Sequence, residues 1–520
     1  MEKKFNFNNL IVLDLANNHQ GDMDHAKMII DNVSSLKDMY QIENLAIKFQ
    51  FRDLPDFISK TEQKDPKNKH VPRFLSTKLE WSEYRELSEY IKSKGILTMC
   101  TPFDESSVDH IIDMEFDLIK IASCSANDWP LVEKVTASNL PIVASTGGLV
   151  TSEVDDLVSY FRHKGADFSL MHCVAIYPTP DEYCNLRNIQ GFIERYGDIT
   201  IGWSTHEPPD DTLHVGLAYA LGARMFERHI GEIDNKKNIE LNAYSSSKDH
   251  LNNWLSALTR SQKVIGSKDR LEASSEEKNS LSGLQRGVFA RKSIQPGKKI
   301  SSKDVYFAFP LQGGQLSSGK WKEGGSITKA IKKDQPLVLE EFNLEVDKDE
   351  ILLKKAVHEV KALLTYAHVP LSHNFTTEYS HHYGIQNFRE VGAVLINVIN
   401  RDYCKKILVQ LAGQRHPSHY HKLKEETFLV IWGELKSVLD GKEKILKPGD
   451  TLMVPPGVWH SFSTETGCVF EEISTTAFSN DSVYKDDSIN KLTSGQRKTI
   501  VDHWGRFQIT EQLRRAKINS

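Results

Sequence analysis

Along residues 10–230, short apolar stretches rich in β-branched side chains alternate with longer amphipathic ones. The short stretches are LIVLDLA (10–16), LAIKFQ (45–50), ILTMCTP (96–102), DLIKIAS (117–123), PIVASTG (141–147), FSLMHCV (168–174), ITIGWST (199–205) and RMFERHIG (224–231). Runs of this length read as buried strands. Segments between them, such as WSEYRELSEYIKSKG and SEVDDLVSYFRHKG, set apolar residues three and four apart and close on Gly, the pattern of a capped helix. Eight strand–helix units predict an α/β fold, a parallel (β/α)8 barrel, because each parallel neighbour needs a crossover. A doubly wound open sheet is the alternative, but no GxGxxG follows the first strand.

Beyond residue 280 the pattern changes. Two similar units, FARKSIQPGKKISSKDV and ITKAIKKDQPLVLEEF, form a near-repeat of short strands around Pro/Gly turns. DKDEILLKKAVHEVKALLTYAHVP reads as linker and helix. VGAVLINVIN, KKILVQLA, ETFLVIWGEL, TLMVPPGVWHSF and CVFEEIST then follow as antiparallel strands. The expected domains are 1–270, 281–345 and 386–520, with 346–385 as linker and helix; 520 residues are too many for one core. A net charge of −5, with both signs interspersed, leaves no footprint for nucleic acid or an anionic membrane. No apolar run approaches the roughly 20 residues of a membrane span, and no cleavage-site pattern marks a signal peptide. The 6 cysteines are scattered without a CxxC, as expected for reduced thiols in a cytoplasmic protein.

Polar residues gather where each early strand ends: Asn17-Asn18-His19, Lys48 with Gln50, Thr101, Lys120 with Ser123, Ser145-Thr146-Gly147, His172, Ser204 with His206, and Glu227 with His229. Any one of these is equally a core polar group or a helix cap. Together they mark the C-terminal rim, where (β/α)8 barrels build their sites. Lys48 and Lys120, with the hydroxyls of Ser123, Ser145 and Ser204, suit an anionic, phosphorylated ligand. His206 and His229 end consecutive strands, placed either to share a divalent cation or to sit as buried structural histidines.

The pieces NNHQGD, IKFQ, CTPFD, IKIAS, ASTGG, HCVAIYPTP, GWSTHE and ERHIG resemble, in order, the landmarks of the N-acylneuraminate (sialic acid) synthase family. The resemblance runs over residues 1–345. It implies a TIM barrel that condenses phosphoenolpyruvate with an open-chain amino-sugar aldehyde, using a divalent metal, commonly manganese. It makes His206 and His229 the metal ligands. Lys48, Gln50, Thr101, Lys120, Ser123, Ser145 and Ser204 become the phosphoenolpyruvate cradle, and Tyr177 a substrate-side contact. Residues 284–342 resemble the antifreeze-like (SAF) domain, which in that family reaches over the partner's barrel mouth in a domain-swapped homodimer.

Four departures bear on the substrate. Asp14 stands where the family has Glu at the end of strand one, still a carboxylate able to handle protons. Ala175 replaces a polar residue before YPTP. Phe309-Pro310 replaces an Arg-Pro whose Arg contacts the sugar's N-acyl group, so Phe309 is expected at the sugar pocket without the guanidinium's hydrogen bonds. The family's acidic sugar contact after strand eight has only Glu240 or Asn242 near it. The phosphoenolpyruvate and metal half is kept while the sugar half is changed, so a related but different acceptor is expected. The alternatives are a synthase of a shorter 3-deoxy-ulosonate and a sugar-binding regulatory protein without turnover.

The stretch GQRHPSHYHKLKEETFLVIWG (413–433) fits the first motif of the cupins: Gly413, His419, His421, Glu426 and Gly433 at that motif's spacing. GDTLMVPPGVWH supplies Gly449, Pro455, Gly457 and His460 of the second, whose final Asn is Thr464 here. The C-terminal domain thus resembles an all-β cupin barrel, and more loosely the sugar-isomerase and sugar-binding cupins. Alternation sets His419 and His421 on one strand face, and Glu426 and His460 complete a site for Mn, Fe, Ni or Zn. Lys424, Glu471 and Glu472 are either polar groups of that pocket or solvated surface charges. Whether such a cupin binds or isomerises a sugar does not follow from the fold.

Overall fold

The computed structural model describes residues 4–267, 271–344, 348–371, 375–478 and 480–501. Residue 345 of the expected second domain, 346–347 and 372–374 of the expected linker, and 479 and 502–520 of the expected third domain lie outside them. The chain divides into two compact units, Met1–Glu272 and Ala273–Ser520.

The first unit is the expected closed barrel of eight parallel strands: β1 (Leu10–Asp14), β2 (Leu45–Phe51), β3 (Leu97–Pro102), β4 (Leu118–Ile121), β5 (Ile142–Ser145), β6 (Phe168–Cys173), β7 (Ile201–Thr205) and β8 (Met225–His229). Closure is by β1 against β8, in register from Leu10↔Met225 to Asp14↔His229. Successive side chains alternate faces, and the two faces have different chemistry. Ile11, Leu13, Ile47, Phe49, Leu170, Trp203 and Phe226 join the large apolar cluster shared with the helices. Leu10, Val12, Ala46, Met99, Leu118, Val143, Met171 and Met225 form a separate cluster, the floor inside the barrel. At Gly202 the floor has no space for a side chain, since an added Cβ would lie 2.7 Å from the Met225 carbonyl oxygen. One step further along the inward rows stand Asp14, Lys48, Lys120, Ser145, Cys173, Ser204 and Glu227, all buried. An apolar floor beneath a polar layer is what a packed barrel with a site at its C-terminal end requires.

The second unit begins with two small antiparallel pairs, Gly287–Ala290 with Val305–Ala308 and Ser326–Ile327 with Phe342–Asn343. Equivalent isoleucines of the near-repeat exchange backbone hydrogen bonds: Ile294 N–H donates to Ile331 O at 2.9 Å, and Ile331 N–H to Ile294 O at 3.0 Å. After the helix Lys348–Tyr366 come sheets of seven and five strands. Phe428, Val430, Leu435, Phe462 and Phe470 share a core drawn from both sheets. Leu353, Val357, Val360 and Leu364 of the helix pack on the seven-stranded sheet. One strand of that sheet, Thr376–Ser380, lies inside the stretch expected to be linker and helix, and it pairs with Ala393–Asn400 and Lys498–Val501. TTEYS is too short and polar to stand out, yet burying Thr377 and Tyr379 gives it one apolar-facing side. Among the described residues, no helix is long and apolar enough to cross a membrane.

Candidate active site and second metal centre

The polar layer opens into a cavity of about 880 Å3 lined by Asp14, Lys48, Gln50, Lys120, Ser123, Ser145, Tyr177, Ser204, His206 and His229, with Glu227, Arg52, Cys173, Asn242 and Tyr244. Thr101 is buried beside it, its hydroxyl accepting from Lys48 Nζ at 3.1 Å. Four charges interlock at the base. Lys48 Nζ lies 2.8 Å from Asp14 and 2.9 Å from Glu227, and Lys120 Nζ lies 3.0 Å from Glu227. Lys120 also donates to Ser145 Oγ at 2.6 Å. Burial alone would raise both carboxyls. For Asp14 the Lys48 ammonium outweighs it, and for Glu227 those of Lys120 and Lys48 do, so both stay below the ordinary carboxylate range. Gln50 Nε2 donates to Asp14 at 3.0 Å. Ser123 Oγ accepts from the Gly147 N–H at 3.0 Å, and a Cβ at Gly147 would stand 2.7 Å from that oxygen.

The two histidines sit at the end of this layer with rings 5.4 Å apart. His206 Nδ1 is 2.9 Å from the Val174 carbonyl, so it carries the proton and leaves Nε2 unprotonated, the tautomer a metal ligand needs. Burial holds His229 down at about 4, hence neutral, and its Nδ1 has no hydrogen-bond partner. Burial would lower His206 too, but its hydrogen bond with the Cys173 thiol raises it. Tyr177 lies against His206 at 4.2 Å between ring centres, and Tyr244 stands 5.2 Å from His229. Behind the cavity, Arg228 faces the helix side. It donates to Ser246 Oγ at 2.6 Å, Glu207 at 3.1 Å and the Pro209 carbonyl at 2.9 Å.

In the second unit, a cavity of about 410 Å3 is lined by His419, His421, Lys424, Glu426 and Glu472, among others. Ring nitrogens of His419, His421 and His460 lie within 4.8 Å of one another. Nδ1 of His419 and of His460 each donate to a carbonyl at 3.0 Å, and His421 Nδ1 lies 3.2 Å from Ser482 Oγ. Each imidazole thus turns Nε2 toward the centre. Glu426 Oε1 is 3.2 Å from His421 Nε2, and Oε2 is 3.3 Å from His460 Nε2. Lys424 pairs with Glu426 and, at 2.9 Å, with Glu472.

The NeuB family profile matches residues 38–270, and that of the cupin domain matches residues 407–471. An uncharacterized protein of Methanocaldococcus jannaschii is 30% identical over 304 residues, spanning 58% of this chain and 85% of the relative. The chain belongs to the NeuB family. Another relative, the N,N'-diacetyllegionaminic acid synthase of Campylobacter jejuni, is 26% identical over 340 residues, 63% of this chain and 98% of that enzyme. A crystal structure from Chromobacterium violaceum, designated spore coat polysaccharide biosynthesis protein E, has 35% identity and a TM-score of 0.61 over 64% of this chain and 99% of its own.

Not every rim residue of this NeuB-family barrel faces the cavity. His172 points outward, its Nε2 2.8 Å from the Cys184 carbonyl, and Asn18 donates to the Ile230 carbonyl at 2.6 Å. Thr146 bonds the Met171 carbonyl, and His19 packs on Tyr84. His172 and Thr146 each stand one residue from an inward position and the strand period turns them away, whereas Asn18 and His19 lie in the turn beyond the first strand. Glu240 is not among the lining residues, whereas Asn242 is. Phe309 belongs to the second unit and is 62% exposed. In the cupin domain, Lys424 and Glu472 are buried rather than solvated. Glu471 points the opposite way, pairing with Lys405 at 2.8 Å, which removes it from the pocket. Glu227, read from the sequence as a rim residue, does face the cavity. Arg52 and Cys173 were not singled out, yet they continue inward rows marked by Lys48 and Met171, so parity alone could have found them. Tyr244 carried no such signal.

Both histidine sets fit a divalent ion. In the barrel this rests on the unprotonated Nε2 of His206 and the neutral imidazole of His229 beside Asp14, whose carboxylate is 3.5 Å from His229. In the cupin domain it rests on three inward nitrogens, with His460 Nε2 and Glu426 Oε2 buried without a hydrogen-bond partner.

Proposed function

We propose that the barrel condenses phosphoenolpyruvate with the aldehyde of an open-chain amino sugar, giving a nonulosonic acid or related 3-deoxy-ulosonate and phosphate. The observation that carries this reading is the inward layer of Lys48, Lys120, Asp14 and Glu227 directly below His206 and His229. C3 of phosphoenolpyruvate forms the new bond to the aldehyde carbon, whose oxygen takes a proton. Water adds to the resulting cationic C2 and gives up a proton. The C2–O bond to phosphate then breaks as the new C2 hydroxyl gives its proton to the departing phosphate, leaving a ketone. Asp14 and Glu227, fixed and desolvated, stabilise the positive C2 without reorganising. Asp14 is the base placed to receive the proton from water. Lys48, Thr101, Lys120, Ser123, Ser145 and Ser204 hold the phosphate and carboxylate, Gln50 orients Asp14, and Tyr177 meets the sugar. A divalent ion at His206 and His229, manganese by resemblance, supplies Lewis acidity toward the aldehyde oxygen. Ala175 and the absence of a basic side chain at 309 favour, as a second reading, a shorter aldose as acceptor. The decisive experiment screens Mn2+-dependent phosphate release from phosphoenolpyruvate against aldoses and N-acylated hexosamines. Release with none of them overturns the proposal.

For the second unit, residues 281–345 act as the SAF domain of a domain-swapped homodimer, placing Phe309 at the partner's sugar pocket. The cupin domain, residues 386–520 with the added strand at 376–380, holds a second divalent ion at His419, His421, His460 and Glu426. It binds or isomerises the same class of sugar, with Lys424 and Glu472 as the proton-transfer pair. Deuterium uptake from solvent into candidate sugars, followed by NMR on the full chain and on Glu472→Gln, separates isomerisation from binding. Absence of a second metal equivalent refutes both.

A further inference from the structure

The four-charge cluster leaves an imbalance at the barrel site. Its two lysines are matched by two carboxylates, so the cradle is neutral before any ligand arrives. A phosphorylated ligand held by those lysines therefore gains from further positive charge beside the cradle. Arg52 lines the same cavity, one inward step beyond Gln50. Its guanidinium is stacked, with Cζ 3.7 Å from the Phe103 ring centre and 4.2 Å from that of Phe74. One nitrogen, Nη2, donates to Gln50 Oε1 at 3.1 Å, while Nε is buried without a partner. No carboxylate pairs with it among the described residues. The nearest in sequence, Asp53, accepts from Ser106 at 2.9 Å, and Asp104 accepts from Ser107 and the Asp53 N–H. Desolvation lowers the guanidinium to about 10, which leaves it charged at neutral pH.

We propose that Arg52 binds a phosphoryl group in the barrel cavity. A planar fork held by two rings and oriented by Gln50 is preorganised for paired hydrogen bonds to phosphate oxygens. Lys69 and Arg73 line the same cavity and add positive charge around it. A guanidinium serving only to clamp the loop aromatics would have no use for an unpartnered N–H. The phosphate belongs either to phosphoenolpyruvate, as the proposed reaction requires, or to the acceptor.

The test is calorimetric titration of wild type and Arg52→Gln with inorganic phosphate and with phosphoenolpyruvate, in Mn2+, with circular dichroism as the fold control. Loss of one charge-assisted pair predicts affinity roughly ten- to a hundredfold weaker for both ligands. Weakening for phosphate alone assigns the subsite to the acceptor's phosphate. Equal binding of both ligands by the two proteins overturns the inference. Failure of wild type to bind phosphoenolpyruvate, with phosphate binding still dependent on Arg52, instead sinks the proposed reaction and leaves this subsite standing. Should Arg52→Gln not fold, Arg52→Lys decides. Lysine keeps the charge but not the fork, so unchanged affinity refutes the assignment.

Discussion

Replacing Lys48 with Met would leave Asp14 and Glu227 facing one ammonium instead of two. Lys48 lies within 2.9 Å of both carboxylates, and all three side chains are at most 5% exposed. Removing one partner from a buried ion pair costs about 3–5 kcal/mol, because the remaining charge is desolvated and uncompensated. At about 2–4 °C per kcal/mol for a domain of this size, the barrel's thermal transition should fall by on the order of 10 °C at pH 8. The pH dependence follows from the carboxyls. In the wild type their depressed values stabilise the fold above the ordinary carboxylate pKa of about 4, and that stability is lost as pH falls through the folded values. In Lys48→Met the second carboxyl is raised, so its penalty is full at pH 8 and shrinks as pH falls and the group protonates. Adding Asp14→Asn removes the carboxylate that Lys48 alone had paired, keeps Lys120 with Glu227 at 3.0 Å and should recover much of the loss. Differential scanning calorimetry of the four proteins at pH 5.5 and 8 reads all of this. A shift below about 2 °C, or no rescue by the second substitution, would refute the coupling.

His206→Ala or His229→Ala should cut metal-dependent phosphate release at least a hundredfold with the fold intact, while a double variant with normal release removes the metal assignment. His460→Ala should lose one of two bound metal equivalents by elemental analysis and leave the barrel's turnover unchanged; retention of both places the second ion elsewhere. N-acetylmannosamine should be a poor acceptor and Phe309→Arg should improve it, whereas efficient use by the wild type would show that position 309 does not select the sugar.

Much of the barrel was legible because β-branched runs and helical spacing both survive in the sequence, and because the strand period fixes which residues share a face. That period also assigns residues the motif reading treated together: Glu472 inward and Glu471 outward, Lys48 inward and His172 outward. What sequence could not give is pairing across distance. Lys48 and Lys120 read as free cations for an anion, yet Glu227, more than a hundred residues away, neutralises much of their charge. The strand Thr376–Ser380 was hidden because its partners, not its composition, make it a strand.

Arg228 has a consequence for how the metal is used. By tying Ser246, Glu207 and the Pro209 carbonyl from behind, it fixes the backbone next to both His206 and His229 through contacts that involve no ion. The imidazoles therefore keep their spacing whether or not the site is loaded, unlike small zinc domains whose folding free energy is their metal affinity. Chelation should strip the barrel reversibly, lowering the thermal transition only by the lost binding free energy and leaving the fold intact, and a spectroscopically visible ion such as Co2+ could then be exchanged in without refolding the chain.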